Sequence, residues 1–293
     1  MFGQSRFADN NILLNRKFAE SRVLICAHRG SSHGNIVQNT SLAYKAAILQ
    51  GADIVETDTT ASADGVVFCF HDGVEKHLLQ RDKNATEMTS KEIESIAPIN
   101  FVGEPSTWHI QRLNDVLAGL CHDELINIDR IWRAHGLVLP ILDRYPHMAR
   151  QAILKAPLKY RVFIEELNRH PIKYMFMPIC HTGQDIEDAL QFDSLNLVGV
   201  ELVAETPDHE LFSEEVIRYI HSRNLFCWVN ALSLYARGYK PDLYGGLDDD
   251  LSISEDPESG WGRLIDMGVD VIQTDWPAIL KNYRAERVFR QGT

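Results

Sequence analysis

The sequence predicts an α/β fold: a TIM (β/α)8 barrel with a small insertion after strand two. Three observations lead to it. Short apolar, β-branched runs alternate with amphipathic stretches, the pattern of parallel strands joined by helices. Eight such runs can be placed over roughly 250 residues, the usual extent of this barrel. The first run leads into His28-Arg29-Gly30. A doubly wound sheet would carry a glycine-rich phosphate loop there.

The expected barrel strands are Val23–Ala27, Asp53–Thr57, Leu125–Ile128, Gln151–Leu154, Tyr174–Ile179, Leu197–Leu202, Leu225–Val229 and Asp270–Thr274. Between them, Thr40–Gln50 sets Leu42, Ala43, Ala46, Ala47 and Leu49 at helical spacing and stops at Gly51. Gln184–Phe192 follows Thr182-Gly183. Ser213-Glu214-Glu215 opens Val216–His221 with a helix-capping residue. Two intervals exceed one strand–helix unit. Residues 73–112 are rich in charge and turns and read as an insertion over the barrel mouth. Residues 231–262, with Gly245-Gly246 and Asp248-Asp249-Asp250, read as a lid-like loop. The whole chain, 1–293, is expected to form one barrel domain.

Composition excludes several classes of function. Hydrophobic residues make up 45% of the 293, enough for a full core. A net charge of −12 disfavours nucleic acid or an anionic membrane as a partner held by the general field. Any phosphate must then be held locally by a few cations. The five cysteines, Cys26, Cys69, Cys121, Cys180 and Cys227, are widely spaced without a CxxC and read as buried reduced thiols. The first residues, Met1-Phe2-Gly3-Gln4-Ser5-Arg6, lack an apolar leader core, and no run of about 18 apolar residues occurs. A cytoplasmic protein without membrane insertion, acting on a small molecule, is expected.

Polar groups gather where the apolar runs end. Glu56 and Asp58 are spaced i, i+2, so they share one strand face, which points inward in a barrel. Two inward carboxylates repel unless a cation lies between them or one is protonated. Hard oxygen donors suit Mg²⁺ or Ca²⁺. Asp129 ends the third run and offers a third acid, with Asn127 on the same face. His28 ends the first run and His71 ends a short hairpin arm, Gly65–His71. Histidine titrates near neutral pH, so such a pair can serve as acid and base. Arg29 and Lys155 are the candidate anion holders. A lysine closing an apolar strand is costly to bury unpaired, which favours a mouth position for Lys155. Trp228, Tyr235, Tyr239, Tyr244, Trp261 and Trp276 fall on mouth-side segments and suit sugar stacking or core packing. The other ten histidines read as structural, with His181, after a strand end, the one to watch.

The ordered set His28-Arg29-Gly30, Asn39-Thr40, Glu56-x-Asp58, Asp64-Gly65 and His71-Asp72 resembles the glycerophosphodiester phosphodiesterase family. The resemblance continues through Trp228-Val229-Asn230, Asp248-Asp249-Asp250, Trp261-Gly262 and Gln273-Thr274-Asp275, over roughly residues 22–284. It implies a TIM barrel, a divalent metal and two histidines as acid and base. Residue by residue, it implies metal ligands at Glu56, Asp58 and Asp129 and a catalytic pair at His28 and His71. It implies a phosphate contact at Arg29 and substrate-side positions at Trp228 and Asn230. The chain departs from the family where Gln38-Asn39-Thr40 stands for Glu-Asn-Thr. It departs again where Asp129-Arg130-Ile131 stands for Glu-x-Lys. An aspartate serves as ligand in the related spider-venom sphingomyelinase D group, and Lys155 from the next strand could replace the missing lysine. The expected activity is metal-dependent cleavage of a small glycerophosphodiester-like substrate. The alternatives are another sugar phosphodiester of the agrocinopine kind, or a barrel that binds a phosphorylated ligand without cleaving it.

Overall fold

The computed structural model describes residues 1–120, 123–234 and 242–291. Its strands are β1 (Leu24–Ala27), β2 (Ile54–Ala61), β3 (Val67–Cys69), β4 (Leu125–Asp129), β5 (Ala152–Pro157), β6 (Met175–Cys180), β7 (Asn196–Leu197), β8 (Gly199–Leu202), β9 (Phe226–Asn230) and β10 (Val271–Thr274). Taken in the order β1, β2, β4, β5, β6, β8, β9 and β10, each pairs in parallel with the next, and β10 returns to β1. The result is a closed eight-stranded TIM barrel. Each expected run falls on one of these strands. The sixth run is split, because β7 pairs only with β6 before the chain continues into β8.

Strand alternation sorts the side chains into two sets. Ile25, Val55, Ile126, Ile128, Leu154, Val200, Val229 and Ile272 point outward and pack under the helices. Leu24, Cys26, Ile54, Leu125, Ile153, Met175, Met177, Phe226, Trp228 and Val271 fill the interior. Further along the same strands the inward series turns polar, with Glu56 and Asp58 on β2, Asp129 on β4, Lys155 on β5, Glu201 on β8 and Asn230 on β9. Apolar packing therefore closes the N-terminal end of the barrel. The inward-facing polar residues of these strands gather at the C-terminal end, where barrel sites form.

The helix Ser41–Gln50 starts where Thr40 Oγ1 accepts the Ala43 N–H and stops at Gly51, whose φ is 96°. That φ belongs to the left-handed region that favours glycine. The hairpin β2–β3 is antiparallel and leaves the barrel as an arm. Beyond it, short helices at Glu75–Leu78 and Ser90–Glu94 enclose a separate apolar cluster that includes Phe68, Phe70, Leu79, Met88, Ile93 and Ile110.

The expected lid-like loop, 231–262, lies partly outside the described residues. Tyr244, Leu247 and Trp261 pack into the outer core, and the helix Asp249–Ser254 buries Asp249 and Ser252. Tyr244, Leu247 and Trp261 hold the described part of the segment on the barrel. Tyr235 and Tyr239 lie outside the described residues. Among the described residues no helix is long and apolar enough to cross a membrane. The four described cysteines are free and buried, and Cys121 lies outside the described residues.

Candidate active site

The site begins with a tight turn after β1. Arg29 has φ 55° and Gly30 φ 73°. A Cβ on Gly30 would fall 2.6 Å from the carbonyl carbon of Ala43, so only glycine fits against that helix. The turn aims the Arg29 N–H at Glu56 Oε2, 2.8 Å away. The Arg29 side chain places Nε 3.0 Å from Asp58 Oδ2 and donates from Nη1 to Gln38 Oε1 at 3.0 Å. Asn39 clamps Asp58 from the other side. Its Nδ2 donates to Asp58 Oδ2 at 3.0 Å, and its Oδ1 accepts the Asp58 N–H at 3.0 Å.

Glu56, Asp58 and Asp129 each offer an oxygen within 4.8 Å of the others. Burial, then the neighbouring Asp58 and Asp129, push the Glu56 carboxyl well above its ordinary range. Burial opposes ionisation of Asp58 too, but Arg29, His71 and Asn39 outweigh it and hold this acid low. Asp129 takes the Arg130 N–H on Oδ1 and lies 3.0 Å from Lys155 Nζ through Oδ2.

Lys155 departs from its expected place. It is mid-strand rather than terminal, because β5 runs on to Pro157, and its side chain is only 3% exposed. Burial alone would discharge it. Asp129 and Glu201, each 3.0 Å away, together with Glu56, hold its pKa well above the ordinary value instead. Lys155 is thus a cation inside the mouth and not a free one at the rim. Glu201 is a site residue that sequence reasoning misses. Its Oε2 accepts from Lys155, and its Oε1 accepts from Asn230 Nδ2 at 2.9 Å. The amide of Asn230 is committed to this network.

Four carboxylates (Glu56, Asp58, Asp129 and Glu201) face two cations (Arg29 and Lys155) in this buried cluster. With all four ionised, the deficit equals one divalent cation. The donors are hard oxygens, and without a cation one of them, Glu56, resists ionisation. These residues fit a Mg²⁺- or Ca²⁺-type ion.

The histidines stand on separate elements. His28 Nδ1 lies 2.9 Å from Asp275 Oδ1. Burial works against ionisation of Asp275, but the His28 bond, His28 charge and Arg29 outweigh it and hold its pKa low. An ionised acceptor fixes the proton on His28 Nδ1 and leaves the lone pair on Nε2. Asp275 is itself placed by Asp249, whose Oδ2 accepts the Asp275 N–H at 2.9 Å and whose Oδ1 accepts from Trp261 Nε1 and Thr274 Oγ1. Burial pushes the Asp249 carboxyl up to about 7.

His71 follows the hairpin arm. Its Nε2 is 3.1 Å from Arg130 Nη1, and Arg130 is held in turn by Asp72, which also accepts from Arg133 at 2.7 Å. A guanidinium can only donate, so Nε2 is the acceptor and the proton sits on Nδ1. Burial lowers the His71 pKa, and with Arg29 and Arg130 it outweighs the upward pull of Asp58. His71 Nδ1 is buried without a protein partner.

The aromatic expectation divides. Trp228 fills the barrel interior with no accessible surface, its Nε1 bonded to Asn230 Oδ1 at 3.0 Å and Gln273 Oε1 at 3.2 Å, so it is closed to a substrate ring. Tyr244 and Trp261 are core residues. Trp276 is 41% exposed and lines a cavity of about 350 Å³ with His28, Arg29, Gln38 and Asp275. His181 is exposed, and its backbone N–H bonds Asp185 Oδ2 of the following helix.

The mouth of this TIM barrel joins three convergent acids, two histidines and buried cations, and several known proteins resemble the chain. A glycerophosphodiester phosphodiesterase of Arabidopsis thaliana is 25% identical over 288 residues, covering 88% of this chain and 72% of that protein. Another, from Caldanaerobacter subterraneus, is 29% identical over 158 residues, covering 52% of this chain and 61% of that protein. A second Arabidopsis thaliana relative with the same description is 50% identical over 52 residues, only 14% of its length. The chain thus spans less than two thirds of two of these three curated relatives. A family model described as a domain of unknown function matches residues 176–284. The fold is shared with a glycerophosphoryl diester phosphodiesterase from Parabacteroides distasonis (TM-score 0.67, 18% identity, 87% of this chain and 84% of that one). It is shared too with an Oleispira antarctica phosphodiesterase solved with the product sn-glycerol-3-phosphate (TM-score 0.66, 15% identity, 88% and 95%). Over most of its length the chain is thus similar in sequence to a glycerophosphodiester phosphodiesterase and shares its fold with solved proteins of that description.

Proposed function

We propose that the barrel mouth cleaves a small phosphodiester of the glycerophosphodiester kind, with a divalent cation held by Glu56, Asp58 and Asp129. The observation that carries this is the buried three-acid cluster, short of positive charge, beside two histidines whose protons are fixed by different partners. The Oleispira relative, solved with sn-glycerol-3-phosphate, supports a glycerol phosphate product. The cation, when bound, polarises a phosphoryl oxygen and offsets the charge that builds up in the transition state. Arg29 and Lys155 add fixed positive charge on either side of the acids. His28 takes the proton of the attacking O–H on Nε2, while Asp275 holds its other nitrogen. The P–O bond to the leaving alcohol breaks as neutral His71 donates its Nδ1–H as a hydrogen bond to that oxygen, and the proton that His28 took from the attacking O–H ends on the departing alcohol. Arg130 keeps His71 in the tautomer this requires.

Leaving-group dependence tests the two roles. A p-nitrophenyl diester needs little protonation on departure, whereas an alkyl diester needs it fully. His71→Ala is expected to lose about 10²–10⁴-fold on the alkyl diester and much less on the aryl one. His28→Ala is expected to lose about as much on both. Full activity of either variant on the alkyl diester would sink the proposal, and the reverse pattern would exchange the two roles.

A further inference from the structure

The insertion sets an apolar rim beside the histidine that abstracts the proton. Phe101 is 72% exposed, Val102 68% and Trp276 41%. Large apolar side chains held this far into solvent in one patch mark a contact surface. The patch is continuous with the site, since Phe101, His33 and Trp276 line the same cavity as His28, Arg29 and Asp275. The rings form a row: His33 stands 5.4 Å from Phe101 and 5.9 Å from Trp276 between centroids. The row is also fixed in place. Phe101 N–H donates to the Gly34 carbonyl at 3.1 Å, Asn100 Nδ2 to Asn35 Oδ1 at 3.2 Å, and Ser106 Oγ to the Asn35 carbonyl at 3.1 Å. These bonds tie the insertion to the loop after β1, so the aromatic faces are held open instead of folding back onto the core. A second cavity of about 260 Å³, lined in part by Ile36, Val37, Leu78, Ile99 and Phe101, extends the apolar surface along the insertion.

We infer that this row binds an apolar substituent on the substrate, and that the chain favours diesters carrying an aryl or acyl group over wholly hydrophilic ones. The inference rests on the phosphodiesterase activity proposed above. The chain's net charge of −12 argues against an anionic membrane as the occupant. A row opening directly into the cavity of His28 fits a group attached to the reacting diester.

The test compares kcat/KM for sn-glycero-3-phosphocholine with that for its octanoyl lyso analogue at a monomeric concentration. The wild type is expected to prefer the acylated diester. Phe101→Ala is expected to reduce that preference roughly ten-fold, through KM, because burying one phenyl side chain is worth about that factor. Phe101→Leu is expected to keep most of it, and circular dichroism checks that both variants fold. Equal preference in wild type and Phe101→Ala, with both diesters cleaved, overturns the inference and leaves the activity standing. Cleavage of neither diester by metal-supplied wild type overturns both. Co-sedimentation of wild type, but not Phe101→Ala, with phosphatidylcholine vesicles, without any substrate preference, makes the rim a membrane contact and also overturns it.

Discussion

Replacing Lys155 with methionine removes one ammonium from the centre of the mouth and keeps most of its volume. Nζ lies 3.0 Å from both Asp129 Oδ2 and Glu201 Oε2, and the side chain is almost fully enclosed. At an effective dielectric of about 20, each contact is worth roughly 5–6 kcal/mol before desolvation. Desolvation of the ammonium costs several kcal/mol, so the net pair energy is far smaller. The variant is nevertheless left with Glu56, Asp58, Asp129 and Glu201 facing Arg29 alone. Breaking a buried pair in this way typically costs about 3–5 kcal/mol. For a chain of this size, that lowers Tm by roughly 5–8 °C. Thermal unfolding in EDTA measures it. Adding Glu201→Gln to Lys155→Met removes one orphaned charge and should recover part of the loss, and a divalent cation should stabilise Lys155→Met more than wild type. A Lys155→Met variant melting within about 2 °C of wild type in EDTA would refute this electrostatic account.

Three further outcomes are expected. Asp275→Asn should lower kcat on the order of 10²-fold with little change in Tm, since it unfixes the His28 tautomer while keeping the side chain's size; steady-state kinetics beside a melting curve separates the two. Asp58→Asn should weaken cation binding more than about ten-fold in calorimetric titration of EDTA-stripped protein, because it removes a charged oxygen from the three-acid set. Asp249 carries a pH signature. Its folded pKa is about 7 against an ordinary value of 3.8, so the native state binds the extra proton between those values. Stability from this group therefore falls as pH rises from about 4 through 7, by on the order of 4 kcal/mol in all. Asp249→Asn should flatten that part of the stability–pH profile; an unchanged slope between about pH 5 and 8 contradicts the assignment.

The barrel is legible in the sequence because its strands are short, apolar and regularly spaced, and because inward acids such as Glu56 and Asp58 show their shared face by parity alone. Strand ends are harder to read. β5 runs through Lys155 to Pro157 because partners on β4 and β8 neutralise a lysine that breaks the apolar pattern. Those partners are distant in sequence. Glu201 escapes notice for the same reason, although an acid inside the run Leu197–Leu202 is a visible anomaly. Asp249 and Asp275 stand in recognisable motifs, but their link through a side chain and a backbone N–H requires the closed fold. Trp228 misleads because position along a strand does not say how deep in the barrel a ring will sit.

The left-handed turn at Arg130, with φ 60°, closes β4 and redirects the chain. Ile131 drops into the layer between strands and helices, while the Arg130 guanidinium reaches the hairpin arm and grips His71 and Asp72. His28 is anchored to the barrel, whereas His71 rides on an appendage with its own small apolar cluster. The gap between the two histidines is therefore set at a joint, with Arg130 as its pin. Loosening that joint by warming, or by truncating Phe68 or Met88, should idle the catalyst while the barrel remains intact, so that inactivation runs ahead of melting.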